Sequence, residues 1–161
     1  MEAQGHTSSE SASTRKEFAL ERYRYILQQI QVVNENAHRF LAIYQTLATS
    51  LVGAGITLFV GYRRWGISAS VARDGVIGLL VLVTLVAGFT ITLIAVGALA
   101  WLDYRNEECD ITDEIVGPGF RQRPRLRNIS RWYETYVLLF ILISIVTLWT
   151  LAAVFVLPKI K

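Results

Sequence analysis

Three runs of this chain, Phe40–Val60, Val76–Trp101 and Tyr136–Leu157, contain no Asp, Glu, Lys, Arg or His. A soluble helix keeps a polar face toward water, so helices that are apolar on every side exclude a soluble globular fold. At ~1.5 Å rise per residue, each run is long enough to cross a hydrocarbon core roughly 30 Å thick. Cysteine is almost missing too. Cys109 stands alone, which excludes an internal disulfide and a multi-cysteine zinc site, since both need a second thiol. No basic n-region followed by an apolar h-region announces a cleavable signal peptide, so insertion is expected to rely on the spans themselves. Outside the spans, residues 1–39 and Asp103–Trp132 are too little for an independent core or a separate catalytic domain.

Motifs of catalysis are missing as well. The acidic residues after Trp101 do not have calcium-loop spacing, and there is no glycine-rich phosphate cradle. His6 lies in a polar N-terminal tail. His38 sits beside Arg39 where the first helix enters the membrane, a place for a snorkelling or helix-packing residue. Cys109 is set among carboxylates, which oppose the thiolate a nucleophile needs. The expectation is a protein that is not an enzyme, with no cofactor and no small-molecule substrate. Transporters usually place ionisable groups or broken helices at the midplane, and these spans have no ionisable group there.

What is present divides the chain clearly. Residues 1–13 are polar and Ser-rich and are expected to be disordered. Thr14 and Glu17 have the spacing of a capping box and are expected to open a helix over 14–39, continuous with a first span at 40–60. A short external loop at 61–75, a second span at 76–101, a charged loop with a helical start at 102–132, a third span at 133–157 and a tail at 158–161 follow. The fold class is thus an all-α membrane protein with three transmembrane helices and an N-terminal cytosolic helical extension. In that extension Leu20, Tyr23, Leu27, Ile30, Asn34 and Ala37 keep an alternating three–four spacing that continues through Leu41, Tyr44, Ala48 and Leu51. Such a stripe suits a helix–helix seam, with Asn34 as the buried polar residue that fixes register. It serves either self-association into a homo-oligomer or packing on the chain's own loop.

Within the spans, Ser50, Gly53 and Thr57, flanked by Thr46 and Gly61, form one face of small residues. Thr84, Gly88 and Thr92 form another. Small faces allow close helix approach in lipid, and they serve either packing inside one protomer or the lining of a pore. The loop between the second and third spans is acidic from Asp103 to Val116, stops at Gly117-Pro118-Gly119, and then turns basic with Arg121, Arg123, Arg125 and Arg127. Those arginines can pair with Glu107, Glu108, Asp110, Asp113 and Glu114, bind anionic headgroups of the lipid bilayer, or contact a partner protein or nucleic acid. Eleven cations fall on the side of the N-terminus and this loop, against five on the other. That asymmetry places the N-terminus in the cytoplasm and the C-terminus in the periplasm.

The run ERYRYILQQIQVVNENAHRFLAIYQTLATSLVGAG, Glu21–Gly55, is a charged, Tyr-rich helix leading directly into a span. With Trp132-Tyr133-Glu134 at the entry to the third span, it resembles small membrane effectors of bacterial anti-phage systems, the retron-associated transmembrane effectors and the SLATT-type effectors. SLATT-type effectors usually have two spans, one fewer than this chain. The resemblance implies an inner-membrane protein that oligomerises and permeabilises the membrane when a cytosolic sensor protein or nucleoprotein detects infection. It carries over no catalytic residues. The alternative is an accessory or anchoring subunit that recruits a soluble partner through the charged loop, and a small ion channel of ordinary physiology is a third.

Overall fold

The computed structural model describes residues 3–124 and 132–161, with side chains described from residue 13 onward. Three helices carry the chain: α1, Ala3–Gly61; α2, Ala69–Ile115; and α3, Tyr133–Leu151, which passes into a π-helical turn at Ala152–Val156 and a 3₁₀ turn at Leu157–Lys159. Among the described residues there is no strand. Each of the three is long and apolar enough to cross a membrane, so this is a multi-pass membrane protein. At 59 and 47 residues, α1 and α2 far exceed the ~20 residues that a span requires.

The helix begins earlier than the capping box implied. Residues 3–13, expected to be disordered, are the first turns of α1, and Thr14 and Glu17 lie inside the helix. No proline interrupts Ala3–Ser13, and although Gly5 and the Ser and Thr residues there weaken a helix, the helix runs through them, so Thr14 does not start it. The loop expected at 61–75 is also shorter. It is confined to residues 62–68, because α2 starts at Ala69 and takes in Arg73 and Asp74. Charged residues end the hydrocarbon-compatible run without ending the helix, whose terminal turn can extend into the headgroup layer. Gly66, at φ 68°, supplies the left-handed conformation for this turn, and Ile67 N–H donates to Tyr62 O at 2.9 Å. At the far end, α2 stops where expected: Gly117 and Gly119 have φ of 126° and 85°.

The chain divides into two compact units. One comprises Met1–Asn36 with Gly97–Asn128, the other Ala37–Val96 with Ile129–Lys161. In the first, α1 and α2 run antiparallel: Arg15 meets Glu114, Arg22 meets Glu107, and Val33 lies against Gly97. Ile26 is its innermost apolar side chain, 0% exposed.

In the second unit all three helices meet. Tyr44 of α1, Ala87 and Ile94 of α2, and Val137 and Ile141 of α3 form one buried cluster, with Leu41, Ala48, Ile91 and Ile145 against it. A second cluster joins Tyr62, Ala72, Val76 and Ile160. Lipid tails are as apolar as leucine, so contact distance and dispersion rather than water exclusion hold these helices. The small residues at the contacts are Ala72, Ala87 and Ala152, all buried, and Gly75, where a Cβ would come within 2.7 Å of Leu58 Cδ2.

Candidate functional site

At the charged end of α2 one face carries Arg105, Glu108, Cys109 and Thr112. These recur at helical spacing, so they share the side that meets α1. Glu108 is 0% exposed. Both its carboxylate oxygens are engaged. Tyr23 Oη donates to Oε1 at 3.4 Å, Arg121 reaches the same oxygen at 3.3 Å, and Arg105 hydrogen-bonds Oε2. Thr112 Oγ1 closes onto the backbone, donating to Glu108 O at 2.9 Å and Cys109 O at 3.0 Å. A buried carboxylate is tolerable only when paired and fully hydrogen-bonded, and this one is. Its surroundings make it a clasp between α1, α2 and the loop that follows, with no lone pair turned toward an open site.

The glycines build that clasp. Val116 N–H and Gly117 N–H both donate to Thr112 O, at 2.9 and 3.3 Å, which closes the helix C-terminus. Gly119 N–H donates to Asp113 Oδ1 at 3.1 Å. The chain is thereby turned back along α2, bringing Arg121 to Glu108 and Arg123 to Asp110 at 2.6 Å and Asp113 at 3.5 Å. Of the partners open to the loop arginines, Arg121 and Arg123 take the acidic end of α2. Arg125 and Arg127 lie outside the described residues. Glu107 and Glu114 instead pair with α1: Arg22 Nε donates to Glu107 Oε1 at 2.7 Å, and Arg15 pairs with Glu114.

The stripe on α1 separates into two faces. Tyr23, Ile30 and Ala37 are half-buried on the side that carries Ile26, whereas Leu20, Leu27 and Asn34 are exposed. Asn34 is therefore not a buried register residue within the protomer. His38 packs near Tyr133, with ring centroids 5.5 Å apart.

Among the small residues of the spans, Thr84 joins two helices: Trp149 Nε1 donates to Thr84 Oγ1 at 3.1 Å. Ser50, Gly53, Thr57, Gly88 and Thr92 are exposed, and a Cβ at Gly53 or Gly88 would meet nothing within 4 Å. Their hydroxyls are closed onto the helix four residues back. Ser50 donates to Thr46 O at 2.9 Å, Thr57 to Gly53 O at 2.8 Å and Thr92 to Gly88 O at 2.9 Å, so each can face hydrocarbon without an unsatisfied donor.

The residues that do pack α2 were missed from the sequence, although a signal existed. Val76, Val83 and Thr90 are spaced by seven, as are Leu80, Ala87 and Ile94, and together they make the a/d pattern of a helix seam. All but Leu80 are buried. No family model, no curated protein and no solved structure matches this chain.

Proposed function

We propose that this chain is a non-enzymatic membrane effector that self-associates and permeabilises the bacterial inner membrane in anti-phage defence, as the effectors it resembles do. The observation that carries this reading is the outward placement of Ser50, Gly53, Thr57, Gly88 and Thr92. Small faces not used within a protomer are available for close approach by a second copy. Leu20 and Leu27, 50% and 39% exposed beside Arg22 and Arg24, offer further apolar surface to the same partner. The cation asymmetry orients the N-terminus and the loop at 117–124 to the cytoplasm. A cytosolic cue that acts on the loop or on the α1 stripe would repack the spans. The spans bear no charge to select ions, so an opening lined by Ser, Thr and Gly leaks small ions with little discrimination.

The test is expression with a membrane-potential dye. The effector should depolarise cells and stop growth. G88L, which meets open space in the protomer and so acts on contacts between copies, should relieve toxicity at equal membrane abundance. Unchanged potential and growth would transfer the case to the anchoring subunit, which the exposed Ile115, Val116 and Phe120 around the loop favour.

A further inference from the structure

At the end of the second unit that holds the 62–68 turn, the three spans do not close. A cavity of about 250 Å³ lies between them, lined by Leu51 and Phe59 of α1, Val76 and Val83 of α2, and Leu148 and Val156 of the third span. Among the described residues no charged or polar side chain lines it, and such a cavity does not hold water. Two features of the backbone make the space. Gly55 on its wall has no side chain, and a Cβ there would touch only Leu79 Cδ1 at 3.7 Å. On the third span the wall is the π-helical turn Ala152–Val156, a wider turn of a kind often found at functional sites. The volume is below the ~300–1,000 Å³ of sites for whole drug-sized ligands and suits a slender apolar segment.

In sequence, cations follow or precede the lining residues by three to five positions on all three segments. Arg63 and Arg64 come four and five residues after Phe59, Arg73 three before Val76 and Lys159 three after Val156. Among the described residues none of these four has a carboxylate partner. Arg63 is held by its Nε, which donates to Tyr62 Oη at 2.9 Å, and its terminal amino groups remain available. Tyr62 is in turn buried and donates to Lys161 O at 3.3 Å, so the rim has a fixed member.

We infer that this cavity holds an acyl chain of an anionic phospholipid whose phosphate is received by Arg63, Arg73 and their neighbouring cations. Apolar walls at membrane depth take the chain, and unpaired guanidinium groups at headgroup level take the phosphate, which arginine binds with paired N–H donors. The inference stands apart from the permeabilising role, since a subunit that never conducts could hold the same lipid.

Native mass spectrometry of the full chain, incubated in detergent with phosphatidylglycerol or with phosphatidylcholine of identical acyl chains, tests it. The wild type should retain phosphatidylglycerol at least about tenfold better, as two engaged arginines predict. The R63Q/R73Q variant, altered only at exposed positions, should lose most of that preference, with Arg64 and Lys159 left to hold the remainder. G55L, which grows into the cavity, should reduce retention of both. Equal retention of the two lipids by the wild type would overturn the proposal. Wild-type retention of phosphatidylglycerol by G55L would overturn it too, as the seat would then lie elsewhere, including at a contact with a second copy.

Discussion

Glu108 and Glu114 show how little the identity of an ion pair says about its worth. Both are carboxylates of α2 paired to arginines, yet Glu108 is wholly buried with two arginines and a tyrosine, while the Arg15–Glu114 side chains are 77% and 60% exposed. Exposed pairs contribute ~0–1 kcal/mol. Breaking a buried one costs ~3–5 kcal/mol because a charge is left stranded, and the partial exposure of Arg105 and Arg121 places Glu108 near the lower figure. E108A should therefore lower stability in detergent by on the order of 3 kcal/mol, and E114A by less than ~1 kcal/mol. Thermal unfolding of the two variants, followed by circular dichroism, makes the comparison. Equal midpoints would mean that Glu108 is no clasp. Nothing in the run DYRNEECDITDE distinguishes Glu108 from the five other acidic residues there. Its burial depends on α1 passing over it, and one-dimensional spacing does not record that.

At the scale of the helices, the legible part is what hydrocarbon imposes. Charge-free runs placed all three spans, and Gly117-Pro118-Gly119 placed the end of α2. The start of α2 was misplaced because Arg73 and Asp74 end the apolar run but not the helix. The π-helical turn at Ala152–Val156 had no signal in AAVFV. The α1 stripe went astray through phase. Counting by three and four from Leu20 reaches Leu27, whereas the face of the protomer itself runs through Ile26, one residue and ~100° away. This difference separates two roles. L20D/L27D places charge on the exposed face and should abolish crosslinked oligomers while the monomer folds and inserts. I26D strikes the buried face and should destabilise the monomer itself. Crosslinking in detergent beside a stability measurement reads both. Oligomers that survive L20D/L27D would exclude this face as the contact. A combined change at Leu27 and Ile30 would confuse the two, because Ile30 lies on the inner side.

For the whole molecule, three helices long and apolar enough to cross lead to the expectation that the loop near Gly119 and the C-terminus lie on opposite sides of the membrane. The proposed direction, N-terminus inside, follows from the cation asymmetry. A reporter inserted at Gly119 should read cytoplasm and one fused after Lys161 should read periplasm. The reverse pattern would invert the orientation and remove every proposed cytosolic partner from reach.

The hydrogen bond from Trp149 to Thr84 has a mechanical meaning inside the second unit. Turning α3 by a single residue, ~100°, would carry the indole N–H off the threonine and leave a donor bare in hydrocarbon, at a penalty of several kcal/mol. The third span is thus keyed to the second in rotation, as a spline keys a shaft. Any motion that spins it must first break that key.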